Sequence, residues 1–100
     1  MALSIQQHAD YLGKDRWHWA VWLDGSSEEL NGIDHVRYIL HSTFPNPVRD
    51  VSDRSSNFRL ETSGWGTFRL YAKAVHKDGH ETSLEHDMVL LYPDGRPTFA

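Results

Sequence analysis

The stretch Trp17-His18-Trp19-Ala20-Val21-Trp22-Leu23-Asp24 decides the fold. Trp17, Trp19, Val21 and Leu23 fall at every second position, so an extended chain places all four on one face. Asp24-Gly25-Ser26-Ser27 follows as a turn, because Asp and Gly tolerate the backbone angles of a tight reversal. Period-two alternation then recurs along most of the chain. Ile33 to His41 sets Val36, Tyr38 and Leu40 against His35, Arg37, Ile39 and His41. Pro45-Asn46-Pro47 stops that strand, since proline cannot donate to a ladder and restricts the residue before it.

Asn57 to Thr62 sets Phe58 and Leu60 against Arg59 and Glu61, and Thr67 to His76 sets Phe68, Leu70, Ala72 and Ala74 against Arg69, Tyr71, Lys73 and Val75. Lys77-Asp78-Gly79-His80 is a hairpin turn, and Thr82 to Tyr92 is its return strand. Leu3 to His8 reads as a short first strand. The only helical candidate is a turn around Ser27 to Leu30, too short to matter. The expectation is an all-β, immunoglobulin-like β-sandwich of about seven or eight antiparallel strands. Loops then gather at its two ends, and loops on a rigid scaffold commonly carry binding.

Composition narrows the function classes. One hundred residues suit one domain over 1–100, of a size that also serves as a module in longer proteins. Zero cysteines exclude disulfides and thiolate metal sites and fit a reducing compartment. The first residues lack a basic-then-apolar signal pattern, so the expected location is cytoplasmic. A net charge of −4 and scattered Lys and Arg residues argue against a nucleic-acid partner. A mildly acidic surface suits ordinary solubility or a basic peptide. No apolar run approaches the ~20 residues of a membrane span, so this segment is not expected to insert directly.

Catalysis and metal binding find little support. Of the seven histidines, His76 and His80 bracket a tight turn and His86 lies on the next strand. They read as exposed hairpin residues rather than a convergent zinc set, so no metal is expected. His41 beside Ser42 is adjacency in sequence, and no Gly-x-Ser-x-Gly or His-Glu-x-x-His motif occurs. Gly64-Trp65-Gly66 lacks the length and the following helix of a phosphate-binding loop. Neither enzyme activity nor a cofactor is expected.

Two aromatic loops remain. The first is Leu40-His41-Ser42-Thr43-Phe44-Pro45-Asn46-Pro47 and the second Glu61-Thr62-Ser63-Gly64-Trp65-Gly66-Thr67-Phe68. A tryptophan between two glycines has little local cover, which favours an indole presented at a loop tip. The competing reading has Phe44 and Trp65 plugging one end of the sandwich. Trp17, Trp19 and Trp22 read as core or sheet-face residues.

On three segments in order, the chain resembles a YEATS domain: WHWAVWLDG at Trp17 to Gly25, LHSTFPNPVR at Leu40 to Arg49, and ETSGWGTFRL at Glu61 to Leu70. The pairing of LH-x-[ST]-F-x-NP with GWG-x-F is specific, and the resemblance spans roughly Trp17 to Leu91. It is nearest to the prokaryotic branch of the family, whose domains occur in multidomain membrane or signalling proteins. The resemblance implies an immunoglobulin-like sandwich that reads acylated lysine in an aromatic cage. It implies a ligand site of His41, Thr43 and Phe44 on the first loop and Gly64, Trp65 and Gly66 on the second. Two rings sandwich the flat acyl amide, a hydroxyl accepts its N–H, and a backbone N–H donates to its oxygen. Acylation removes the lysine charge and leaves a planar group that stacks on π faces.

Two departures stand out. Thr43 replaces the usual serine, and Asp15 and Arg16 occupy a loop that often supplies a further aromatic wall. The implied partner is an acylated lysine peptide. The alternative is a YEATS-like sensor or protein-interaction module with a non-histone ligand or partner protein.

Overall fold

The computed structural model describes residues 3–64 and 68–96. Among the described residues seven antiparallel strands form two sheets: β1 (Ser4–Gly13), β2 (Arg16–Asp24), β3 (Ile33–Ile39), β4 (Val48–Val51), β5 (Leu60–Gly64), β6 (Arg69–His76) and β7 (Glu81–Asp87). One sheet has the order β1-β2-β5 and the other β4-β3-β6-β7. The all-β sandwich expected from the alternation is the one observed.

The two inner faces make the core. From β2 come Trp17, Trp19, Val21 and Leu23, each without solvent exposure. From the opposing sheet come Val36 and Tyr38 on β3 with Leu70, Ala72 and Ala74 on β6. Register matches size: Tyr38 lies opposite Ala72 and Val36 opposite Ala74, so small side chains on β6 leave room for larger ones on β3. The buried Tyr38 hydroxyl donates to the carbonyl of Phe58 at 2.7 Å. Burial raises its pKa, which keeps the phenol protonated and able to donate.

Several boundaries differ from the sequence reading. β1 runs to Gly13, well past His8, because its inward positions after Ile5 are Gln7, Ala9 and Tyr11, where the apolar signal fades. Gln7 holds the segment after β7: its amide nitrogen donates to the Val89 carbonyl at 2.7 Å and its oxygen accepts from the Val89 N–H at 3.0 Å. Residues 88–92 are therefore not a continuation of β7, although Met88 and Leu90 alternate inward as a strand would. β5 starts at Leu60, since Asn57 and Phe58 adopt positive φ of 58° and 59°. Phe58 is still fully buried, so the pattern of inward residues survives the change in conformation.

One strand escaped the alternation, while the helical turn expected around Ser27 to Leu30 is present. β4 is a four-residue edge strand directly after the proline turn, with Val48 and Asp50 exposed. The turn after β2 is a short helix, α1 (Ser27–Asn31), closed by a capping box in which Ser26 and Glu29 bond each other's backbone N–H groups. It buries Leu30 over the core. The expected start of β6 at Thr67 falls outside the described residues.

Candidate functional site

The loop between β3 and β4 is held by its own backbone and by one arginine. The Leu40 N–H donates to the Pro47 carbonyl at 2.7 Å, and the Phe44 N–H to the His41 carbonyl at 3.0 Å. Asn46 takes a left-handed φ of 50°, which asparagine tolerates better than most residues. Arg49, from β4, donates to the carbonyls of Asn46 at 2.6 Å and Pro45 at 2.8 Å. These charge-assisted bonds fix the turn that presents residues 41–44.

His41 and Thr43 are both exposed on that loop and bonded to each other. The Thr43 N–H donates to His41 Nδ1 at 3.3 Å, and Thr43 Oγ1 lies 2.9 Å from the same nitrogen. With Nδ1 unprotonated the Thr43 hydroxyl donates to the ring, and with Nδ1 protonated it accepts from the ring. In either tautomer Thr43 Oγ1 keeps at least one lone pair that can accept from a third group.

Phe44 turns inward. Its ring stands 5.4 Å from Phe68 and 6.1 Å from Trp19, centroid to centroid, and Phe68 stands 5.9 Å from Trp19. His41 flanks Phe68 at 6.4 Å. Trp19 is thus the floor of a three-ring cluster, with Phe44 and Phe68 half-buried above it. Gly64, the last residue of β5, is buried against this cluster. A Cβ there would lie 3.0 Å from Phe44 Cζ and 3.6 Å from Trp19 Nε1, so glycine is what lets the Phe44 ring sit so low.

The structure therefore brings His41, Thr43, Phe44 and Gly64 to one end of the sandwich. Trp65 and Gly66 lie outside the described residues. Phe68, which the sequence reading put both at the end of the second aromatic loop and on the inner face of a strand, joins the cluster. It precedes β6 by one residue, and an aromatic on core-facing parity at the mouth of a loop was the available signal. Trp17, the aromatic nearest in sequence to Asp15 and Arg16, supplies no wall. It is fully buried, packed at 5.0 Å on both Tyr11 and Tyr92, and its Nε1 donates to the Leu91 carbonyl at 2.9 Å. Asp15 instead accepts from the Tyr92 hydroxyl at 2.7 Å.

The histidines do not gather. His76 and His80 stack at 3.8 Å, while His86 bonds Gln7 on β1 at 2.7 Å. Among the described residues no group of three His, Cys, Asp or Glu side chains is placed to hold a metal. No helix among them is long and apolar enough to cross a membrane.

The sequence profile of the prokaryotic YEATS domain matches residues 17–89. The chain is 37% identical over 46 residues to transcription initiation factor TFIID subunit 14 of Schizosaccharomyces pombe, covering 46% of this chain and 18% of that protein. It is 35% identical over 68 residues to the protein AF-9 homolog of Kluyveromyces lactis, covering 65% of this chain and 30% of that protein. The chain spans less than a third of the length of either of these relatives.

Among solved structures, the Yaf9 YEATS domain bound to H3K27ac superposes with a TM-score of 0.72 at 22% identity, covering 97% of this chain and 79% of that one. The Yaf9 YEATS domain recognizing an H3K122suc peptide gives 0.65 at 23% identity, covering 92% and 70%. At such identities the likeness is one of fold.

Proposed function

The chain belongs to the prokaryotic YEATS domain family, and from that premise we propose that it is a reader module that binds acylated lysine at the His41–Phe44 and Gly64–Phe68 loops. The observation that carries this reading is the arrangement of Thr43 beside the Phe44–Phe68 pair. A hydroxyl with a lone pair to spare precedes Phe44, whose ring packs on Phe68, which suits a group that is polar at its amide and flat and apolar beyond it. In this reading Thr43 accepts the amide N–H, Phe44 and Trp65 cover the two faces of the acyl group, and Gly64 and Gly66 give the backbone close access. His41 orients Thr43. The module performs no catalysis. The related Yaf9 domain is described bound to H3K27ac, and for this chain the corresponding partner is an acyl-lysine peptide.

A second reading has its own support. Phe44 and Phe68 touch each other and rest on Trp19, so the rings form a filled cluster as well as a cage. A sensor or protein-interaction module of a prokaryotic multidomain signalling protein would use the same frame to dock a non-histone ligand. An NMR titration with acetyl-lysine and crotonyl-lysine peptides separates the two. The reader reading expects the Trp65 indole N–H and the Thr43 amide to shift in a saturable way. Resonances that do not move with either peptide refute it.

A further inference from the structure

Trp19 is fully buried, yet among the described residues its Nε1–H has no hydrogen-bond partner. The contrast with Trp17, two residues earlier on the same face, is direct: that indole is equally buried and its N–H is bonded. Native interiors rarely leave such a donor unmet, and each such case calls for an explanation. The position of this donor supplies one. Trp19 Nε1 lies 3.6 Å from the point where Gly64 lacks a Cβ, and Phe44 Cζ lies 3.0 Å from the same point. The donor and the edge of the Phe44 ring therefore border the same point beside Gly64, and Thr43 is the residue before Phe44 on its loop.

We propose that the Trp19 indole N–H is a specificity-determining donor, and that the site takes acyl groups carrying a hydrogen-bond acceptor, such as a hydroxyl, on the carbon chain beyond the amide. This rests on the acyl-lysine reading above and names the acyl class. Phe44 is the half-buried ring of an exposed loop, so it is the part of the cluster that turns to uncover the donor when a chain enters. The argument turns on sign. A purely apolar slot penalises a hydroxyl, which loses its water and gains nothing. A buried donor with no other partner reverses that preference, because the hydroxyl and the indole then satisfy each other.

The test is calorimetry with one peptide carrying butyryl-lysine, 3-hydroxybutyryl-lysine or 4-hydroxybutyryl-lysine. At least one hydroxylated chain should bind about tenfold tighter than butyryl. The gain should vanish when the Trp19 indole is replaced by benzothienylalanine, which keeps the bicyclic shape and puts sulfur in place of the N–H. In the unaltered protein, the Trp19 indole proton should move downfield with the favoured hydroxyacyl peptide and not with butyryl. Butyryl binding equal to or tighter than both hydroxylated chains overturns the proposal while leaving the reader reading intact. A gain that persists without the N–H, or an indole proton that does not move, also overturns it. If no acylated peptide binds, the reader reading itself fails and takes the proposal with it.

Discussion

The Phe44 ring occupies the space that a side chain at position 64 would fill: its Cζ comes within 3.0 Å of where a Gly64 Cβ would stand. An alanine there requires the ring to give way by a few tenths of an ångström. Phe44 lies on a loop and is only half-buried, so it can move without disturbing the sheets. Gly64→Ala should therefore keep the melting temperature within a few degrees of wild type. It should weaken acetyl-lysine binding by about tenfold, the cost of losing a well-packed contact of roughly 1–1.5 kcal/mol. Thermal melts and calorimetry on the same sample check both. Unchanged affinity would separate the Phe44 position from binding.

Trp19 and Phe44 should differ in how much stability each carries. Trp19 is fully buried between the sheets, and truncating such a residue typically costs ~3–5 kcal/mol. Against a total of about 5–15 kcal/mol for a domain of this size, Trp19→Ala should be severely destabilised. Phe44→Ala should be milder in a chemical denaturation series, since part of its ring already faces water, and should lose most acyl-peptide binding. Equal destabilisation by the two would mean that Phe44 serves the core as a plug.

Much of this difference was legible in the sequence, and the reasons are particular. Trp17 to Leu23 alternates cleanly because β2 is the central strand of its sheet, with one face wholly buried. β1 was cut short because an edge strand needs few apolar residues, and Gln7 contributes through hydrogen bonds that no hydropathy pattern carries. β4 was missed because its four residues are an exposed edge defined by pairing to β3. The first site loop stood out through its aromatic and proline spacing. The parts of the site that depend on three-dimensional packing, Phe68 against Phe44 and the Arg49 clamp, left only weak local signals.

His86 gives the fold a pH dependence. Burial lowers its pKa from the ordinary 6.5, so the folded protein favours the neutral ring, which donates Nε2–H to Gln7. The unfolded chain binds a proton more readily. The contribution of this group is thus full above about pH 6.5 and is lost as pH falls toward the depressed folded value. Subtracting the stability profile of His86→Gln from that of wild type should leave a difference that declines from pH 7 to pH 5. A flat difference would show that the ring is not desolvated in solution.

Thr43 tests the proposed hydrogen bond to the ligand amide. Thr43→Val preserves shape and strands the amide N–H, and an unpaired buried polar group costs about 1–3 kcal/mol, or roughly ten- to a hundredfold in affinity. Thr43→Ser keeps the hydroxyl and should bind at least as well as wild type. Valine and serine variants of equal affinity, both folded, would leave the hydroxyl without a role.

The most direct measurement is calorimetric titration of the wild-type domain with one peptide in two forms, acetylated and unmodified at the same lysine. An aromatic cluster with no carboxylate among His41, Thr43, Phe44 and Phe68 should penalise an ammonium that must shed its water, with cation–π attraction offsetting only part of the cost. The predicted result is saturable binding of the acetylated peptide at least about tenfold tighter than the unmodified one. Unmodified peptide binding as tightly as acetylated peptide would contradict the assignment of this loop end as an acyl-lysine reader.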